Sequence, residues 1–408
     1  MKKALYLLLF VGLIMTSEGL FAAGMDENPN QSVNYIRTGK RNAATDAADA
    51  AYYNPAGTVK LADGLHLNVG TQYVVRKHEH EAAGTTYTDE GPVFFPNLHA
   101  VWKQDNWAGF FSFTIPGGGG WSTFEDGTVV APQLIASGLL LPLNTIESQR
   151  VDGFSYYLGF SAGGAYSINE YISFGAGARY IHAMKEAYSR FTLSISSLPG
   201  TFTSFKTEYK DTANGAAGFF SLNVTPMKNL VIAIKYQMKT ILEFEKDVEK
   251  DDTGFLEDGS KYRRDLPAQA GIGIAYKINP ALMVEVDANY YFTKDAAWEG
   301  EQHKWDNAYD AGFAVEYAII PQLKASVGLG YSWQNAKGDD ANDSPDRYAN
   351  PYLDVWAVSG GLGYTVMEGL TVNTGLIRSF FQNETTAAGV KVKRETWLVG
   401  LGVDYRVL

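Results

Sequence analysis

The sequence predicts an all-β protein, a fourteen-stranded antiparallel transmembrane β-barrel, and three observations carry the prediction. About fourteen segments place an apolar residue at every second position, as a sheet with lipid on one face and water on the other requires. The connections between them are alternately tight and long, the two loop classes of a barrel set in one membrane. A stretch with the marks of an export signal precedes them all. One alternating segment would prove little, since half-buried strands of soluble sandwiches alternate too. The repetition behind an export signal is what argues.

The chain opens on Lys2 and Lys3, followed by an uncharged run from Ala4 to Met15 that is too short to span a bilayer as a helix. Ala22 and Ala23 offer a cleavage site, so residues 1–23 are expected to be a signal peptide. Beyond residue 23 no uninterrupted apolar run approaches the ~20 residues of a helical span, which leaves any membrane crossing to strands. An exported barrel points to the outer membrane of a bacterium with two membranes. Residues 24–63 are polar and Ala-rich and do not alternate. Within them Asn42–Tyr53 reads as a short helix, capped by Asn42 and ended by Pro55. A polar segment of this length ahead of a barrel either hangs in the periplasm or folds up into the lumen.

Residues 64–408 carry the strands. In the last segment Trp397, Val399, Leu401, Val403, Tyr405 and Val407 share one face, opposite Gly400, Gly402, Asp404 and Arg406. Leu282, Val284, Val286, Ala288, Tyr290 and Phe292 alternate in the same way with Glu285, Asp287, Asn289 and Tyr291. The second strand is expected around Phe94–Lys103 and the sixth around Ala216–Val224. Tight connections are expected near 103–106, 167–170, 225–229, 278–281, 320–322 and 366–369, each with Pro, Asn or Gly chemistry. Long ones are expected near 77–93, 117–152, 184–215, 245–264, 294–306, 334–351 and 382–393. An even strand count puts both chain ends in the periplasm and the long loops outside.

Composition agrees. A mean hydropathy of -0.16 is the average of lipid-facing and lumen-facing residues, and 25 Tyr, 22 Phe and 8 Trp suffice for two aromatic belts. A net charge of -11 with no basic stripe excludes nucleic acid as a partner. No linker or composition break divides the chain into separate soluble domains.

Candidate chemistry lies in the loops and the lumen. Loop 117–152 carries Leu134, Ile135, Leu139, Leu140, Leu141, Leu143 and Ile146, and loop 184–215 carries Phe191, Leu193, Ile195, Leu198, Phe202 and Phe205. These are too apolar for ordinary exterior loops. They either pack on one another as a cap or form a hydrophobic groove, and the two roles coexist. Arg179 and Lys235 have inward parity and read either as ion-pair partners of Glu285, Asp287 or Glu316, or as cations for an acidic ligand. Arg378 has outward parity. Gly117–Gly120 lacks the helix start and Lys-Ser/Thr of a phosphate cradle and reads as a loop hinge. Asp46 and Asp49 read as salt-bridge partners for the wall. His78-Glu79-His80 lacks a third ligand, so no metal or other cofactor is expected. With 6 scattered histidines and no Ser/His/Asp arrangement, neither is an enzyme.

The run from Gly39 through Asn54-Pro55-Ala56-Gly57, small residues leading into Asn-Pro-Ala about ten positions before the first strand, resembles the N-terminal hatch of the FadL/TodX-type outer-membrane transporters of long-chain fatty acids and aromatic hydrocarbons. Pro96-Asn97-Leu98-His99 is similar to that family's Pro-Asn step on the second strand, and the strand spacing agrees along essentially the whole mature chain. Thr58 departs from the family's usual leucine, and Leu408 from the aromatic end residue of bacterial barrels.

The resemblance implies that residues 24–63 form a small helical hatch plugging the lumen, with Asn54, Pro55 and Ala56 a contact that breaks as ligand passes. It implies capture and binding by outer-loop and luminal residues, with Leu134, Leu139, Leu140, Phe202 and Phe205 as the apolar candidates and Arg179 or Lys235 for a carboxylate. Ligand would leave sideways at the third strand, Trp107–Ile115, where Gly109 best tolerates a kink. Long-chain fatty acids are the first expected substrate, aromatic hydrocarbons the second, with a general aqueous porin as the reading from another class. Expected partners are a hydrophobic ligand, outer-membrane lipid and lipopolysaccharide, and the barrel-assembly machinery, around a monomer. The physical need is clear. A sixteen-carbon chain crossing a water-filled bore exposes about fifteen methylenes, roughly 12 kcal/mol at ~0.8 each.

Overall fold

The computed structural model describes residues 32–130, 132, 144–195, 200–298, 305–334, 348 and 351–407. One sheet takes in seventeen strands. They are β1 (Gly64–Ala82), β2 (Thr85–Gln104), β3 (Trp107–Phe124), β4 (Asn144–Ser167), β5 (Ile172–Ile195), β6 (Phe202–Met227), β7 (Leu230–Gln237), β8 (Glu243–Asp251), β9 (Lys261–Arg263), β10 (Gln269–Asn279), β11 (Leu282–Tyr291), β12 (Ala308–Ile320), β13 (Leu323–Trp333), β14 (Val355–Met367), β15 (Leu370–Phe381), β16 (Glu384–Thr385) and β17 (Lys391–Val407). β8, β9 and β16 are short additions at the loop end, and the other fourteen make the barrel. β7 pairs directly with β10, and β17 returns to β1 from Leu65↔Val407 to Glu81↔Lys391, which closes the cylinder. Among the described residues the sheet returns on itself and leaves no free end strand, the condition for a strand protein in a bilayer.

The alternation falls as the sequence requires. Val399 and Leu401 point outward and are 43% and 58% exposed, while Leu398 between them and the plug is fully buried. Outward aromatic residues collect at two levels. Trp102, Trp107, Tyr166, Tyr317, Tyr364 and Tyr405 stand near the tight turns, and Phe94, Trp121, Trp356, Phe380 and Trp397 near the far end. These are interface girdles. All six tight turns lie where the sequence places them, with Gly369 at φ 78 supplying the left-handed residue in one.

The long connections differ. Much of the expected loops 77–93, 117–152 and 184–215 is strand: β1 and β2 meet at Ala83–Gly84, and β5 and β6 pair from Ile172↔Val224 to Ser194↔Phe202. With 24 and 26 residues, β5 and β6 far exceed the ~10 that a tilted crossing needs. Above the lipid polar residues enter both faces, Ser189 and Thr207 inward and Arg190 and Glu208 outward, so hydrophobic alternation fades while pairing continues. Cross-strand bonds Ser189–Thr207 (2.6 Å) and Thr192–Ser204 (2.9 Å) hold the upper hairpin instead.

The helix expected over Asn42–Tyr53 is also shorter. Helix α1 spans Val33–Thr38 and α2 only Ala50–Tyr53, and Pro55 opens a 3₁₀ turn to Lys60. The segment starts as a turn because the backbone N–H groups of Arg41, Asn42 and Ala43 bond to wall carboxylates, while Ala44 N closes a turn on Arg41 O.

Candidate functional site

Residues 32–61 fold inside the barrel and are almost wholly buried, so the lumen is plugged. Their start is locally encoded. Ser32 caps α1 by accepting from Tyr35 N at 3.0 Å, and Gly39 ends it in the left-handed region at φ 74.

Acids on the wall then take the plug's donors. Asp287 Oδ2 accepts from Arg41 N and Asn42 N, both at 2.8 Å, and Glu285 accepts from Ala43 N at 2.9 Å. Arg37 binds Glu316 at 2.5 Å, and Glu316 also holds Lys324 at 3.0 Å. Asp404 accepts from Asn34 at 3.1 Å. Within the plug, Arg41 bridges Asp46 (2.8 Å) and Asp49 (2.6 Å), and Ser32 donates to Asp49 at 2.7 Å. Burial raises the Asp46 carboxyl, but Arg41, with Lys324 and Arg37 behind it, outweighs that and holds it well below the usual carboxylate range. Asp46 and Asp49 therefore pair inside the plug, where the sequence suggested partners on the wall.

The wall makes room by omitting side chains. A Cβ on Gly375 would stand 2.7 Å from Arg37 N, one on Gly273 2.5 Å from Ala43 N, and one on Gly175 2.7 Å from Ala56 N. Backbone thus lies directly on backbone. These inward glycines were missed as functional positions, although their parity in otherwise apolar strands was a readable signal.

Asn54, Pro55 and Ala56 meet the wall at β5 and β6. Asn54 Nδ2 donates to Ala44 O (3.0 Å) and Asn223 Oδ1 (2.8 Å). Ala56 N donates to Ser221 Oγ at 2.7 Å, and Ser173 Oγ donates to Ala56 O at 2.7 Å. Lys235 donates to Tyr52 O at 2.5 Å, with its ammonium 4.7 Å from the Tyr52 ring centre. Arg179 is buried beside Thr240. Neither cation pairs with Glu285, Asp287 or Glu316, because the plug occupies those acids. Arg378 is bonded to Glu395 on the outer face at 2.9 Å, as its parity implied.

Above the plug the character changes. Tyr35 stacks on Tyr53 at 5.5 Å and Tyr52 meets Tyr53 edge-on at 5.0 Å. These rings join Val74, Val93, Phe95, Ile115, Ile377 and Leu398 in one buried apolar cluster. A crevice between the plug tyrosines, Lys235 and Gln237 holds only about 30 Å³, whereas recesses of about 260 and 330 Å³ lie under the plug at the turn end.

That cluster ends at a fault in the wall. Between the pairs Leu98↔Phe113 and Asp89↔Phe124, β3 advances eleven positions (113 to 124) while β2 advances nine (89 to 98), and no rungs join them. Against β4 the register slips at Thr114/Gly117 and again at Gly117/Gly120. Gly118 and Gly120 take φ 76 and 79. The kink is therefore at 115–120, and Gly109 is not its seat: it pairs regularly with Trp102 and Gly164. Gly117–Gly120, expected as a loop hinge, is the bulged part of the strand. Arg76 satisfies carbonyls freed by the fault, donating to Gly119 O and Trp121 O, while Asp89 accepts from Thr123 N at 2.7 Å.

Of the loop candidates, Leu134, Leu139 and Leu140 lie outside the described residues. Phe202 and Phe205 lie on β6 in the upper hairpin, Phe202 exposed and Phe205 stacked on Phe191 at 5.1 Å. His78 and His80 point inward and Glu79 outward, so strand alternation keeps the three from converging, and no metal-binding group occurs among the described residues.

No family model and no curated protein matches the sequence. Solved structures do. A Pseudomonas aeruginosa FadL homologue covers 94% of this chain and 99% of its own at TM-score 0.70 and 13% identity. The Ralstonia pickettii toluene transporter TbuX covers 92% and 98% at TM-score 0.65 and 15% identity. The Pseudomonas putida toluene transporter TodX covers 97% and 99% at TM-score 0.63 and 14% identity. At such identities the likeness is one of fold, and this chain has that fold over nearly its whole length.

Proposed function

We propose that this protein is a bacterial outer-membrane channel for passive uptake of hydrophobic molecules, which are captured at the outer loops, lodge above the plug and leave sideways through the fault in β3. The observation that carries this reading is the apolar cluster from Tyr35, Tyr52 and Tyr53 to Phe95 and Ile115, which ends at that fault. Passage straight down meets the ion-paired plug instead. A dry route removes most of the roughly 12 kcal/mol that a sixteen-carbon chain would lose to water.

Long-chain fatty acids are the substrate proposed first, with Arg179 and Lys235 as carboxylate partners and Leu134, Leu139, Leu140, Phe202 and Phe205 in capture. Asn54, Pro55 and Ala56 are the plug contact that yields. Aromatic hydrocarbons are the second reading, favoured by the likeness to proteins described as toluene transporters and by the tyrosines above the plug. An aqueous porin is disfavoured by the buried plug.

The test is complementation of a strain lacking its own fatty-acid importer, scored by growth on oleate and, separately, by accumulation of toluene. Growth on oleate supports the first reading and toluene accumulation alone the second. Neither, together with large steady ion conductance in planar bilayers, would leave a porin.

A further inference from the structure

We propose that Tyr156 is the door of the lateral exit, hung on β4 and latched to the carbonyl of Phe94 on β2. The inference rests on the sideways route above and assigns its moving part.

Tyr156 belongs to the outward face of β4, between Phe154 and Leu158. In an intact wall an outward residue on β4 is separated from the lumen by its own sheet, and from β2 by the whole width of β3. Here both separations fail. The Tyr156 hydroxyl donates to Phe94 O at 2.7 Å, crossing the place where β3 leaves the ladder. Its ring lies 5.6 Å from that of Phe95, a fully buried, inward-facing residue. Tyr156 and Leu158 also pack against the luminal apolar cluster from outside. The ring therefore stands in the opening, with lipid on one side and the luminal cluster on the other.

The frame and the door are built differently. Arg76 and Asp89 hold the displaced β3 segment through three backbone groups, which would each have to be left bare for the frame to move. Tyr156 is held by one hydrogen bond and by ring contacts with Phe95 and Phe154, on a side chain with two torsions, so a rotamer change opens the hole without breaking any backbone bond of the barrel. Phe94 O is free to accept because it lies in the stretch of β2 that has no rung to β3. A tyrosine suits this post. Its ring fills an apolar hole, and its hydroxyl takes a carbonyl that the fault leaves over.

The chain has no cysteine, which makes the test clean. Uptake of a hydrophobic probe by intact cells is compared for the parent, Tyr156→Phe, Tyr156→Ala and Tyr156→Cys, each checked for native heat-modifiable migration. Unlatching in Tyr156→Phe is expected to raise the initial rate several-fold, and removing the ring in Tyr156→Ala to raise it further and admit bulkier probes. Tyr156→Cys is then labelled with a bulky maleimide, which is expected to abolish uptake. Unchanged rates in both Phe and Ala variants, with uptake still blocked by the label, would overturn the door and leave the sideways route standing. Uptake that survives the label would overturn the sideways route itself, and the door with it. A rate that falls in Tyr156→Ala would mean the ring guides ligand instead of barring it, and would equally refute the proposal.

Discussion

Replacing two wall glycines by alanine should undock the plug while leaving the barrel intact. Gly375 on β15 lies against Arg37, where a Cβ would stand 2.7 Å from the amide nitrogen and 2.9 Å from Cα. Gly273 on β10 lies against the next turn of plug, with Ala43 N at 2.5 Å and Asn42 C at 2.6 Å. All four are backbone atoms, so no side chain can swing aside. Overpacking of this kind costs about 1–3 kcal/mol at each site. The two sites touch different plug segments on strands that are not neighbours, so their effects should add, to about 2–6 kcal/mol. That shifts the docked-to-undocked ratio by at least roughly twentyfold. The wall gains rather than loses, since alanine in a strand interior is favoured over glycine. Gly109→Ala is the control, because its Cβ would meet nothing nearer than the Trp107 ring at 3.7 Å. Planar-bilayer conductance and protease nicking within residues 32–62 are the readouts. Both should rise in Gly273→Ala/Gly375→Ala and stay at the parent level in Gly109→Ala. A double variant that migrates as a folded barrel yet conducts and resists protease like the parent would refute the claim that close backbone approach seats the plug.

Two further expectations concern the plug. Asn54→Ala removes the donor to Ala44 O and Asn223 Oδ1, at about 1–3 kcal/mol for the buried acceptors left behind, and should change probe uptake while the thermal transition of the barrel stays put. Acid should loosen the Arg41–Asp46 contact late. Because the Asp46 carboxyl is held below its ordinary value, its contribution is complete above the unfolded carboxylate range near ~4 and is lost as pH falls through the lower folded value. Plug protection from protease should therefore not fall between pH 7 and pH 5, and loss already at pH 5 would contradict the pairing.

The barrel was legible because lipid on one side and water on the other write their difference into every second residue. Legibility ended where that contrast ends. On β5 and β6 the upper halves carry polar residues on both faces, as in Lys206, Thr207, Glu208, and hydropathy cannot see pairing there. Parity placed Arg179, Lys235, Glu285 and Glu316 inside correctly, but not their partners, since parity says nothing about what stands across the bore. The fault in β3 was half visible. Gly117–Gly120 signalled irregular backbone, yet the two surplus residues exist only relative to β2 and β4, and only a register reveals them.

The distribution of polarity around the plug bears on the proposed sideways release. Its lower, turn-ward side is fixed by charge: the buried pairs Arg37–Glu316 and Arg41–Asp49, the half-exposed Asp46 on Arg41, and wall carboxylates on plug amides. Moving an alkyl chain through that layer would strip at least one such pair, and a buried ion pair broken on one side costs about 3–5 kcal/mol. The upper side is rings and aliphatic carbons, which an apolar guest can displace by exchanging one dry contact for another. If the plug must shift at all for uptake, the smaller barrier is therefore to tilt its aromatic edge and let cargo run along Phe95 and Ile115 to the fault, with the charged base as the pivot. Increased uptake without increased ion conductance in Tyr156→Ala is the signature of that asymmetry, because the lateral door would then open while the ionic base stays sealed.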